Sequence, residues 1–196
     1  MKRDIELLFE IGALRNLPRA WRHFFNPDVQ SINEHIFRVV WIALTPARYE
    51  KLKSHEKVLK MALVHDLTES RTGDVHHLSR QYVKRNEKLA VDDIFTQTVH
   101  YREMISLYEE YEERKTIEAK IVKDADNLDI QLELREQAAR GHSVGTIWNA
   151  SRDKAVYRKL FTQSAKILWR KIARANPHDW HDKSPRNRFK GGDWKV

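Results

Sequence analysis

The 196-residue sequence contains no cysteine, only six glycines and five prolines, and no long apolar run. Without cysteine there are no disulfides, no thiolate metal ligands and no cysteine nucleophile. So little glycine and proline argues against a low-complexity or fibrous chain, and no internal repeat is found. The most apolar uncharged stretch, Val39 to Ala47, is nine residues long and holds a proline, far short of the roughly 20 apolar residues a membrane-spanning helix needs. Residues Met1 to Glu10 are charged throughout and lack a small-residue cleavage site, so a secretory signal is not expected and a cytoplasmic location is. What is there, 41% hydrophobic and 33% charged residues, suits one soluble domain with a single core.

Thirty-six Lys and Arg against 28 Asp and Glu leave a net charge of +8, which invites a nucleic-acid partner. The distribution speaks against it. From Lys166 to the end there are nine Lys/Arg and three Asp, so +6 of the +8 lies in the last 31 residues. We therefore divide the chain into a domain over 1–175 and a basic, tryptophan-containing tail over 176–196. Trp169, Trp180 and Trp194 are read as anchors of this C-terminal region rather than as a base-stacking surface for nucleic acid.

No stretch alternates with period two and no hairpin dipeptide occurs, so the expected fold is all-α. Ser31-Ile32-Asn33-Glu34 matches a capping box, followed by Ile32, Ile36, Val39, Val40, Ala43 and Leu44 at helical spacing, with Pro46 expected to stop the run. A second helix is expected from near Ser54 to before Gly73, carrying Val58, Leu59, Ala62 and Leu63 inward. A third runs roughly from Glu87 to Glu113, with Leu89, Ile94, Phe95, Val99 and Ile105 on one side. A fourth spans Thr116 to about Arg140 and is apolar at Ile117, Ile121, Ala125, Leu128 and Leu132. Gly141 to Gly145 reads as a break, Lys154 to Ala173 as the last helix, and Asn176 onward as irregular.

Against this pattern His65-Asp66 is anomalous, because it follows Met61-Ala62-Leu63-Val64 inside an apolar helix. Burying such a pair costs several kcal/mol unless something partners it. His35 lies equally oddly on the inward face of the preceding helix, and Lys123-Asp124-Ala125-Asp126 offers a carboxylate from a third. Two imidazoles and two carboxylates would hold one divalent ion, and mixed N/O ligation suits Zn, Mn, Co or Fe better than Ca. Such an ion lowers the pKa of a bound water from about 15.7 toward about 7. Glu69, four residues after His65, is placed to exchange a proton. The implied chemistry is metal-assisted hydrolysis. The dipeptides His178-Asp179 and His181-Asp182 lie in polar tail sequence and read as surface residues. Helical geometry groups Asp124 with Ile117, Ile121 and Leu128 and Asp126 with Val122 and Ile130, so the residues alone leave both open.

His, then His-Asp, then Asp, each on its own helix, resembles the HD-domain metal-dependent phosphohydrolases. Glu34-His35-Ile36-Phe37-Arg38-Val39, the stretch Ala62 to Asp74 with its HD-x-x-E-x-x-x-G-D pattern, and Val122-Lys123-Asp124-Ala125-Asp126 are similar to the 5'-deoxynucleotidase subgroup, over roughly Leu14 to Ala139. The resemblance implies a single helical HD-domain bundle and a homodimer. It makes His35, His65, Asp66 and Asp126 the ligands of one divalent metal, with Mg as a further candidate. It makes Glu69 the residue that helps activate water and Asp74 a carboxylate near the scissile phosphate and sugar. Leu17-Pro18-Arg19-Ala20-Trp21 is similar to the subgroup's Arg/Trp element, so Arg19 would hold the 5'-phosphate and Trp21 would pack on the nucleotide. Here Ala20 intervenes and Arg22 follows, which leaves either arginine open for that role. The expected activity is hydrolysis of (deoxy)nucleoside 5'-monophosphates. The alternatives are a pyrophosphorylated or cyclic nucleotide substrate, or a nucleic-acid-binding protein with a structural metal.

Overall fold

The computed structural model describes residues 1–24 and 28–183. Among these residues the secondary structure is helical, with no strand beyond one isolated bridge between Pro18 and Ser31. The main elements are α1 (Lys2–Ala13), α2 (Ile32–Tyr49), α3 (Glu56–Val64), α4 (Glu69–Thr72), α5 (Glu87–Phe95), α6 (Tyr101–Glu113), α7 (Ile117–Ala139), α8 (Ser143–Ala155), α9 (Gln163–Ile172) and α10 (Asp179–Asp182). α7 is the axis, packed by α2, α3, α6, α8 and α9. Its buried Ile121, Val122 and Ala125 meet Val39 and Ala43 of α2, Val58, Met61 and Ala62 of α3, and Leu107 and Tyr111 of α6 in one core. A smaller cluster joins Leu128 of α7 to Leu160, Ala165 and Trp169. No described helix is long and apolar enough to cross a membrane.

The capping box forms as expected: Ser31 Oγ accepts from the Glu34 amide at 3.3 Å and Glu34 Oε2 accepts from the Ser31 amide at 2.6 Å. Pro46 does not end the helix. It removes one bond near the C-terminal end, and the burial of Ala43, Pro46 and Ala47 carries α2 on to Tyr49. The third expected helix is two, α5 and α6, because the chain turns at Thr96 with an extended ψ of 131° and at Gln97 with a φ of 61°. Val99 in that turn is exposed, as are Leu63, Leu89 and Ile117, all expected inward. α1 carries no side-chain N-cap and buries only Leu7 within its length. It is docked instead by Arg3 on the carbonyls of Asp93 and Ile94 and by Glu10 on Arg71 at 2.8 Å.

The expected second helix breaks at its most informative residues. After Val64 the bonds tighten to the i→i−3 type, Leu67 to Val64 and Glu69 to Asp66, both at 3.1 Å. α8 lies where a break was read. Gly141, at φ +91°, is the true stop, whereas Gly145 lies inside α8, where a Cβ would meet the Leu134 carbonyl at 2.7 Å. Glycine is there for close approach to α7. The helix expected from Lys154 starts at Gln163 and ends at Ile172, and the short α10 forms in the stretch after Asn176 that is expected to be irregular. Trp169 is buried and bonded to Asp153, while Trp180 is exposed. Trp194 and the rest of the tail from Ser184 lie outside the described residues.

Candidate active site

One ligand atom from each of His35, His65, Asp66 and Asp126 lies within 4.8 Å of all the others. The capped start of α2 fixes His35, whose amide donates to the Ser31 carbonyl at 3.0 Å. The tightened turn after α3 delivers His65 and Asp66, and α7 delivers Asp126. The two imidazoles are oriented from behind. His35 Nδ1 donates to Asp129 Oδ2 at 2.6 Å and His65 Nδ1 to the Ala62 carbonyl at 2.8 Å. Both Nε2 atoms therefore face inward, 3.3 Å apart, with Asp66 Oδ2 3.2 Å from His35 Nε2 and Asp126 Oδ1 3.5 Å from it.

This donor set fits a cation. Two bare ring nitrogens and two carboxylates converge on one space, and a positive charge must lie among them. Without a metal a proton supplies it. Burial and the Arg19 charge push the His35 imidazolium down, but Asp129 and Asp66 outweigh them and hold its pKa up at about 9. Burial lowers His65. Asp66 is held well below the carboxylate range, His65, His35 and Arg19 overcoming its burial. Asp126 is also lowered, by Lys123 at 2.7 Å and the two histidines against its burial.

Beside this cluster lies Arg19, almost fully buried. The Pro18–Ser31 bridge fixes it: the Arg19 amide donates to the Gln30 carbonyl at 3.0 Å. Its Nη1 is 3.1 Å from Asp66 Oδ2 and 3.9 Å from Glu69 Oε2, and its Nε is 3.4 Å from Asp74 Oδ2. Asp74 Oδ2 also accepts from the Ala20 amide at 2.8 Å, tying down the turn that carries Arg19 and Trp21. Glu69 is buried. Burial, with the charges of Asp66 and Asp74, pushes its carboxyl well above the usual range. Oε1 accepts from Arg85 at 3.2 Å, and Oε2 has no hydrogen-bond partner.

The structure thus brings His35, His65, Asp66, Asp126, Glu69, Asp74 and Arg19 together, with Trp21 buried 5.9 Å from the Arg19 guanidinium. Of the two open pairs, Arg19 is in the cluster and Arg22 is exposed. Asp124 faces away, accepting from the Phe161 and Thr162 amides and the Thr162 hydroxyl at the start of α9. Sequence reasoning missed Asp129, one turn beyond Asp126 in the same apolar helix and thus carrying the same anomaly. It also missed Arg85, which no pattern marks, and two residues of α8. Arg152 donates to the Asn127 carbonyl at 3.0 Å. Trp148 stacks on Trp21 with centroids 6.0 Å apart and an interplanar angle of 29°.

Residues 11–168 match the family profile described as HD domain. Among curated relatives, 5'-deoxynucleotidase HDDC2 of Danio rerio is 32% identical over 142 residues, 69% of this chain and 70% of that one. The Dictyostelium discoideum protein of the same name is 30% identical over 157 residues, 74% and 82% of the two chains. A solved conserved hypothetical protein from Pyrococcus furiosus is 27% identical and superposes with a TM-score of 0.71 over 87% of this chain and 99% of its own. A predicted metal-dependent phosphohydrolase from Magnetospirillum magnetotacticum shares the fold, with a TM-score of 0.61 at 21% identity over 88% of this chain and 95% of its own.

Proposed function

The chain belongs to the HD-domain family, and from that premise we propose that it is a metal-dependent 5'-nucleotidase, hydrolysing (deoxy)nucleoside 5'-monophosphates to nucleoside and phosphate. The observation that carries this reading is the pair of inward Nε2 atoms 3.3 Å apart among two carboxylates, flanked by a buried arginine and a buried glutamate. The names of the curated relatives support the substrate class.

His35, His65, Asp66 and Asp126 would hold the metal, which we take to be Mn, Co, Zn, Fe or Mg. When bound, a divalent cation supplies Lewis-acid polarisation and acidifies water. Arg19 presents a fixed cationic fork to the phosphate and offsets charge that develops there. Glu69, whose Oε2 accepts no hydrogen bond, takes the proton from the attacking water. Asp74 holds Arg19 and the Ala20 amide, and so sets where the phosphate is received. Trp21 offers an apolar face to the nucleoside. The proposal includes a homodimer, which rests on likeness to the family, and a cytoplasmic location, which rests on the lack of cysteine.

The test is phosphate release from a panel of 5'-mono-, pyrophosphorylated and cyclic nucleotides, with each candidate metal and with a chelator. Release from 5'-monophosphates that the chelator abolishes is the expected result. Release confined to the other two classes, or undiminished by chelation, would overturn the reading.

A further inference from the structure

We propose that α8 forms a second wall of the nucleotide cleft, in which Arg152 is a further arginine for the substrate phosphate and Trp148 a stacking face for the base. The proposal deepens the 5'-mononucleotidase reading and rests on it.

Arg152 and Trp148 are four residues apart on α8, so their side chains leave the same face of the helix one turn from each other. One end of that face meets α7 beside Asp126 and the other meets Trp21. Arg152 Nη2 reaches the Asn127 carbonyl, the residue after Asp126. Trp148 meets Trp21, and Phe24 and His77 line its other sides with ring centroids 5.3 and 6.0 Å away. Arg19 pairs with Asp66, and Arg152 is bonded to the residue that follows Asp126.

The partners of Arg152 set it apart from two other part-buried arginines, although Arg135, which donates to the Ala175 carbonyl at 2.7 Å, likewise has no carboxylate partner among the described residues. Arg38 is paired with Asp129 and Glu136, and Arg85 with Glu69 and Glu87. Among the described residues no carboxylate lies within ion-pair distance of Arg152; its contacts are the Asn127 oxygens and the Trp169 ring, 5.5 Å from the guanidinium carbon. Its Nε is buried with no hydrogen-bond partner. Burial pushes its pKa down to about 10, with the charges of Asp126 and Arg19 acting in opposite directions, so it is cationic at neutral pH. A part-buried cation without a paired carboxylate carries a cost, and a phosphate dianion beside the metal ligands is the group that would satisfy it.

Trp148 supplies the matching apolar end. Its ring stacks on that of Trp21 with centroids 6.0 Å apart and planes 29° from parallel, so a base seated between the two would part them. Swinging the Trp148 side chain away from Trp21 would exchange one Trp–Trp contact for two base–Trp contacts. Stacking of this kind accepts any base, so the site should discriminate weakly among bases and strongly for having one.

The test uses full-length, metal-loaded protein. Arg152→Met keeps an apolar stem over Trp169 and removes the charge. It should weaken inorganic phosphate in calorimetric titration, and raise KM for a deoxynucleoside 5'-monophosphate, by about 10- to 100-fold, the range for losing a charge-assisted contact. Arg152→Lys should recover part of both. Metal affinity and melting temperature are read alongside, because a merely structural arginine would move those and leave phosphate binding as in the parent, which would overturn the proposal. Trp148→Ala should raise KM for the nucleotide about 5- to 100-fold, far more than for deoxyribose 5-phosphate, and Trp148→Phe should restore most of it. Equal losses on the two substrates would overturn the stacking role. If the parent released no phosphate from any nucleotide the functional reading would fall, while direct titration of phosphate and of the mononucleotide would still decide Arg152 and Trp148.

Discussion

Asp129 never touches the cation space, yet it decides what His35 can do there. Its Oδ2 takes the Nδ1 proton at 2.6 Å, and it is held in turn by Arg38 and by Gln30 Nε2 at 2.6 Å. An outer carboxylate of this kind fixes the tautomer and orientation of a ligating imidazole, and losing it costs about 10- to 100-fold in metal affinity. The same carboxylate, with Asp66, holds His35 near 9. Since the proton and the metal compete for Nε2, the affinity of the parent should rise with pH up to about 9 and fall as acidification protonates His35. Asp129→Ala should lower affinity by about 10- to 100-fold at pH 8 and shift the limb of that curve to lower pH. Competition with a chelating dye across pH 6 to 9 measures both. A parent curve flat over this range, or an unchanged one in the variant, would remove Asp129 from the site.

At the scale of the element, α8 shows how a correct local signal can be misread. Gly141 and Gly145 look alike in the sequence, but one sits at φ +91° and ends α7 while the other lets α8 press on the α7 backbone. A Cβ at Gly145 would lie 2.7 Å from the Leu134 carbonyl and 2.8 Å from the Ala138 amide, and backbone atoms cannot yield as a side-chain tip does. Gly145→Ala should therefore displace α8, destabilise the protein by about 1–3 kcal/mol and raise KM for nucleotides through Trp148 and Arg152. Metal affinity should be retained, because no ligand lies on α8. Denaturant unfolding and steady-state kinetics on the same sample check this. The capped helix α2 and the core stripe of α7 were legible, since capping chemistry and 3.6-residue periodicity are local. The choice between Asp124 and Asp126 was not. α7 is buried on both faces, and Asp124 is explained only by the α9 amides it caps, a contact 38 residues distant in the chain. Arg152 carried no signal for the same reason: only the packing reveals that, among the described residues, no carboxylate pairs with it.

Over the whole molecule, the ligands come from three places that the core alone must otherwise hold together: the start of α2, the turn after α3 and the middle of α7. A cation bound to all three binds the folded state and not the unfolded chain, so it adds stability by mass action. At free metal about 100-fold above the dissociation constant the gain is about 2.7 kcal/mol. For a domain of this size each kcal/mol is worth about 2–4 °C, so removal of metal should lower the melting temperature by about 5–10 °C. On titrating metal back, the melting temperature should begin to rise as free metal passes the independently measured dissociation constant and then climb with the logarithm of the free metal concentration. His35→Ala should be insensitive to chelator, melting alike with and without it, since the linkage is lost with the ligand. A chelator effect of the same size in that variant would mean that the stabilising metal binds elsewhere, and the convergence of His35, His65, Asp66 and Asp126 would then be packing without a cation.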